Sequence, residues 1–176
     1  MENSDIETSI DIIRDDFFPL DDYLVEDFIP HSPPMVLIDR IVSFSDDTLC
    51  AEITIIEDCK FYDRDSNGVP AWVGIEYMSQ AIAALAGIHA KKENRSIKLG
   101  FLLGTRKYKI VKKVFKKDKT YGIIVKQLYK DDSGLACFEC DIIEQSDQYL
   151  NICEDDICVQ SKLNVFETSE LQDIAE

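Results

Sequence analysis

Between Ala71 and Ile88 the chain carries a single charged side chain, Glu76, in an otherwise apolar or small run. Ala71, Ile75, Met78, Ile82 and Leu85 share one helical face; Val73, Gly74, Ala81, Ala84, Gly87 and Ile88 lie on the opposite one. Pro70 stands where a helix start tolerates proline. A helix that is apolar all round is expected to be buried all round, so the rest of the chain has to wrap it. Residues 35–44 and 48–57 precede the helix and alternate in the strand manner, with Asp46-Asp47 as the turn between them. After it, residues 98–110, 119–130, 134–145 and 157–166 read as four more strands, with turns at Asp131-Asp132-Ser133-Gly134 and at 154–156. A polar loop is expected over 58–69. This order predicts an α+β fold, one long helix against a curved antiparallel sheet of five or six strands.

A chain of 176 residues suffices for one cored domain and tails. The expected boundaries are an acidic N-terminal tail over 1–22, with a short helical turn near 10–18, a domain over 23–167 and a C-terminal tail over 168–176. The formal net charge of -15 argues against a protein that coats nucleic acid. The charge is uneven: residues 91–119 hold twelve Lys and Arg against Glu93 and Asp118. Such a stripe either serves an acidic partner or is covered by the acidic N-terminus. No run reaches the roughly 18 to 20 uninterrupted apolar residues of a spanning helix. The N-terminus lacks a basic-then-apolar leader, so a cytoplasmic protein is expected. Cys137 and Cys140 have the spacing of half a zinc site, but three residues along a strand they point to opposite faces. The six cysteines are therefore read as small hydrophobes, and no metal site is expected.

Burying a bare carboxylate costs several kcal/mol, so Glu76 must find donors or hold a proton. It is a candidate acid–base group near the positive end of a helix, the alternative being that it caps a loop or meets water. His31 lies in the Ile29-Pro30-His31-Ser32-Pro33-Pro34 segment, whose prolines restrict its orientations. It reads either as a catalytic base or as a structural residue. His89 reads as a C-terminal helix residue favoured by the dipole.

The segment from Phe28 to Arg40, with Pro30-His31 and Asp39-Arg40, resembles the opening of FabZ-type 3-hydroxyacyl-acyl carrier protein dehydratases, a superfamily that includes FabA. Val69-Pro70-Ala71-Trp72-Val73-Gly74-Ile75-Glu76-Tyr77-Met78-Ser79-Gln80 resembles the start of their central helix. With Gly100-Phe101-Leu102-Leu103-Gly104-Thr105-Arg106 and Ser161-Lys162-Leu163-Asn164-Val165-Phe166, the chain is most similar to the ApeP-like dehydratases of aryl polyene biosynthesis. The resemblance spans about residues 24–167. It implies a hotdog fold, paired as a homodimer or with a different hotdog subunit, and loss of water from a 3-hydroxyacyl thioester on a phosphopantetheine arm. No further cofactor is implied. Glu76 falls on the catalytic Glu, and Ala71 on the position whose backbone N–H serves the thioester oxygen. Pro70, Trp72, Gln80 and Phe101 are expected to line the substrate tunnel. The family's catalytic His, fourteen residues before the Glu, is replaced by Tyr62, which leaves His31 as the expected base.

An acidic acyl carrier protein is the expected partner of the basic stripe, through Arg95, Lys98, Arg106 and Lys107. Two other readings stay open: a non-catalytic subunit that completes an active dehydratase, and a thioesterase whose Glu76 activates water.

Overall fold

The computed structural model describes residues 18–144 and 154–168. The elements run β1 (Arg40–Phe44), β2 (Thr48–Thr54), β3 (Gly68–Pro70), a 3-10 turn (Ala71–Val73), α1 (Gly74–Lys92), β4 (Leu99–Ile110), β5 (Val114–Lys116), β6 (Thr120–Lys130), β7 (Leu135–Glu144) and β8 (Ile157–Thr168). Six strands form one antiparallel sheet in the order β1-β2-β6-β7-β8-β4. This is the α+β plan expected. The expected loop over 58–69 holds β3, which pairs with β5 in a separate two-stranded sheet. Three residues carry no readable period; that pairing is made by tertiary contact. The expected turn near 10–18 lies almost wholly outside the described residues.

Alternate residues of the sheet, among them Leu49, Ala51, Ile53, Tyr121, Ile123, Val125, Ala136, Phe138, Cys140, Val159 and Leu163, form the core with Tyr77, Met78, Ala81, Leu85 and Ile88 of α1. Each large side chain taken from water contributes about 1.5–3 kcal/mol. Cys140 is buried while Cys137 faces the outer surface, as their spacing requires. Burial pushes the Cys140 thiol up, and the Cys158 thiol up to about 11. Both therefore stay protonated near neutral pH.

The core reaches further toward the N-terminus than the expected boundary at residue 22. Phe18 and Leu20 pack against it, and Phe18 stacks on Tyr23 at 5.5 Å. By length and composition Ala71–Lys92 would also suit a membrane span, but this helix is mostly buried inside the sheet.

The expected all-round burial of the helix does not hold. Ile75, Glu76, Ser79, Ala83, Ala86 and His89 are only half-buried and Trp72 is exposed, a stripe at helical spacing along one side. The sheet and the N-terminal segment cover the other three sides.

The N-terminal segment crosses α1 where the helix has no side chain. A Cβ built on Gly87 would lie 1.9 Å from the Phe28 carbonyl oxygen, so only glycine admits this approach. Phe28 is itself 1% exposed, and Lys91 lies over its ring. Gly87→Ala should push the segment off the helix at a cost of about 1–3 kcal/mol, read as a lower urea midpoint.

Candidate functional site

Gln80 fixes the geometry of the site. It is fully buried, and each of its polar atoms is used. Its Nε2 donates to the Met35 carbonyl at 2.7 Å and to Glu76 Oε1 at 2.9 Å, and its Oε1 accepts the Leu37 N–H at 2.8 Å. Gln80 therefore staples the chain after His31 to the helix that carries Glu76. The chain before His31 is fixed by Phe28 on Gly87. Held on both sides, His31 places its Nε2 3.5 Å from Glu76 Oε1. The His31 and Glu76 side chains are 32% and 34% exposed. The carboxylate is thus not enclosed within this chain, as the sequence had suggested, but sits at an open mouth.

Oε1 already accepts from Gln80, which leaves Oε2 as the oxygen with room for a proton. His31 Nδ1 is buried without a hydrogen-bond partner among the described residues.

From this pair a slot of about 200 Å³ runs along the uncovered stripe of α1. Its floor is Glu76, Ser79, Ile82, Ala83, Ala86 and His89. Its opposite wall comes from Leu102 of β4, Ala136 and Phe138 of β7, and Val165 and Phe166 of β8. Glu76 and His89, thirteen residues apart, lie ~20 Å from one another along the axis. The middle of the slot is apolar, and its far rim carries Gln127, Lys98, Lys130 and Glu167. Among the described residues no three His, Cys, Asp or Glu side chains gather as metal ligands do.

The other expected site residues fall elsewhere. The Ala71 N–H donates to the Lys113 carbonyl at 2.9 Å, extending the β3–β5 ladder, and the Tyr108 hydroxyl donates to the Ala71 carbonyl at 2.7 Å. That amide is committed within the fold and is not presented to a substrate. Burial holds the Tyr108 phenol above its ordinary range, so it remains a donor. Pro70 pairs with Val114 in β3, away from the slot. Trp72 is exposed and meets Phe61 edge-on at 5.9 Å. Phe101 points away, while its neighbours Gly100 and Leu102 line the slot, as the strand period of two dictates. Gln80 is a positioning residue, not a lining one. Arg95 pairs with Glu93 beside the far rim, Lys98 lies on that rim, and Arg106 and Lys107 stand in a groove on the outer sheet face. Tyr62, at the position of the family's histidine, donates its hydroxyl to Asn67 at 2.7 Å.

Sequence reasoning missed the slot floor. Its signal was the run of small side chains, Ser79, Ala83 and Ala86, on the face that bears Glu76.

A single long helix wrapped by a six-stranded antiparallel sheet, with a carboxylate in the first turn of that helix, defines a hotdog-fold protein. The sequence matches the ApeP-like family, described as ApeP dehydratase, over residues 23–176, and the chain belongs to that family. It is 32% identical over 96 residues to a 3-hydroxyacyl-[acyl-carrier-protein] dehydratase FabZ of Streptococcus equi subsp. zooepidemicus, which covers 54% of this chain and 68% of the relative. The FabZ of Streptococcus pneumoniae serotype 4 is also 32% identical, over 97 residues, with the same coverage. Among solved structures, the dehydratase heterocomplex ApeI:P from Xenorhabdus doucetiae superposes with a TM-score of 0.73 at 27% identity, covering 84% of this chain and 93% of that one. A hypothetical thioesterase with coenzyme A from Streptococcus pneumoniae, 13% identical with a TM-score of 0.53 over 73% of this chain and 84% of that one, shares the fold.

Replacing Gln80 with Leu leaves the Leu37 N–H and the Met35 carbonyl without partners, each worth about 1–3 kcal/mol when buried. Gln80→Leu should lower the urea midpoint with little change in slope.

Proposed function

We propose that this chain dehydrates 3-hydroxyacyl thioesters carried by an acyl carrier protein, with His31 as base and Glu76 as acid, and that it works paired with a second hotdog chain. The observation that carries the reading is the approach of His31 Nε2 to Glu76 Oε1 at the head of an apolar slot.

Elimination of water needs a base for the proton on C2, an acid for the hydroxyl leaving C3, and a site that holds both. His31 Nε2 takes the C2 proton, and the electron pair forms the C2–C3 double bond as the C3–O bond breaks. The proton on Glu76 Oε2 goes to the departing hydroxyl, which leaves as water. Gln80, donating to Oε1, turns the other oxygen toward the substrate. The positive end of α1 favours the negative charge that grows on the thioester oxygen. The acyl chain lies along Ile82, Ala83 and Ala86. Arg95 and Lys98, beside the far rim, assist encounter with the acidic carrier, more in rate than in affinity.

Pairing is supported by the unfilled side of the helix, by the exposure of Glu76 within one chain, and by likeness to a structure described as a heterocomplex. With the family's histidine position occupied by a hydrogen-bonded Tyr62, a subunit whose activity depends on its partner is the second reading.

Incubation with a 3-hydroxyacyl pantetheine thioester, followed by mass, separates these readings. Loss of water supports dehydration, release of free acid would mark a thioesterase, and turnover only after addition of another hotdog chain marks a dependent subunit. His31→Ala and Glu76→Gln should each reduce dehydration by about 10²–10⁴-fold without altering the far-ultraviolet dichroism. An unchanged rate in His31→Ala would remove that residue as the base.

A further inference from the structure

The start of α1 is not closed by the helix alone. The chain enters it through the 3-10 turn Ala71–Val73, in which the Ala71 carbonyl accepts from the Gly74 N–H, three residues on. An α-helix would join that carbonyl to the N–H of Ile75, four residues on. Between these two groups stands the Tyr108 hydroxyl. It donates to the Ala71 carbonyl at 2.7 Å and faces the Ile75 N–H as an acceptor. One hydroxyl thus bridges the helix start, and it holds the turn before α1 in the tighter 3-10 winding.

Gly74 leaves room for this contact. A Cβ built there would lie 2.7 Å from the Tyr108 hydroxyl and 2.8 Å from the Ile142 side chain. The register of β4 then turns the ring inward. Thr105 pairs with buried Leu163, and strict alternation from Thr105 would turn Lys107 inward and Tyr108 outward. The bulge between Thr105 and Tyr108 reverses this, so that Arg106 and Lys107 both stand in the outer groove while Tyr108 packs against the core. That bulge is held by the contact of Thr105 Oγ1 with Ser161 Oγ at 2.9 Å and by Ser161 Oγ donating to the Lys107 carbonyl at 3.1 Å.

We infer that Tyr108 is a positioning residue for Glu76, acting through the backbone at the start of α1. This rests on the dehydratase reading and adds the group that sets the angle of its carboxylate. Gln80 restrains the Glu76 side chain through Oε1, and Tyr108 restrains the backbone one residue earlier, at Ile75. His31 is held by other contacts, through Phe28 on Gly87 and through Gln80 on Met35 and Leu37. A shift of the helix start is therefore not shared by the imidazole. Without the hydroxyl, the Ile75 N–H is free to bond the Ala71 carbonyl directly, and the turn winds toward α. The carboxylate then moves relative to His31 Nε2, a loss that falls on transition-state geometry rather than on substrate binding.

Tyr108→Phe in the full-length chain tests this. It should lower kcat for dehydration about 10–100-fold with little change in KM, assayed with whatever hotdog partner turnover requires. Tyr121→Phe supplies the comparison. Tyr121 is also buried and its hydroxyl also takes a backbone N–H, that of Lys116 at 2.7 Å, but it joins β6 to β5 rather than to α1. Both variants should lower the urea midpoint, and Tyr121→Phe should leave kcat unchanged. A second readout requires no turnover: the nitrogen resonances of the Glu76 amide and of His31 Nε2 should move in Tyr108→Phe and stay in place in Tyr121→Phe. An unmoved His31 Nε2 resonance in Tyr108→Phe, a wild-type kcat in that variant, or an equal loss of kcat in Tyr121→Phe would each overturn the inference. Resonances that move in a protein that dehydrates nothing would keep Tyr108 as the residue that sets Glu76 and remove the dehydratase reading; dehydration at the wild-type rate by Tyr108→Phe would do the reverse.

Discussion

The structure depends on one constraint: an apolar helix of 19 residues must be removed from water, and the described residues leave one side of it uncovered. The sheet curls over most of the circumference, and the N-terminal segment closes another part at Gly87. What is left is a narrow stripe of small side chains with Glu76 near one end. A core helix fully enclosed by its own chain would be more stable and would have no room for a ligand. The slot exists because side chains as small as Ser79, Ala83 and Ala86 neither fill the gap nor demand much burial.

Folding and the site are joined through Gln80. Its amide hydrogen-bonds backbone atoms on either side of Val36 and also restrains the carboxylate. The geometry of His31 against Glu76 is therefore set by the same contacts that dock the N-terminal segment. His31 and Glu76 sit in a preorganised arrangement while keeping about a third of their surface open. The long separation of His31 and Glu76 in sequence is bridged by the close backbone approach at Gly87 and by this amide.

Much of this was legible in advance, for a physical reason. The helix and the six strands of the main sheet have clear periods, and Glu76 and His31 stood out as polar groups in apolar or proline-restricted settings. The two-stranded β3–β5 sheet was not legible, because three-residue strands carry no period and form only once tertiary contacts bring them together. Ala71 was misassigned because a sequence position says nothing about which carbonyl its amide meets, and here that is Lys113. Trp72 and Phe101 were assigned to the tunnel from the family resemblance, which carries no side-chain direction. Their directions follow from the 3-10 turn and from the alternation along β4, where Gly100 and Leu102 take the inward places. Gln80 showed its spacing from Glu76 but not its bonds to Met35 and Leu37, which lie more than forty residues earlier in the chain.

The uncovered stripe of α1 and the inward face of β4 border the same slot. A carboxylic acid donates its proton best where water is kept away, and water is kept away only if something covers that side. Among the described residues the nearest wall on that side is β4, whose Gly100 and Leu102 present one face to the slot. Anything that closed the space between β4 and the helix would lower the polarity around Glu76 without touching it.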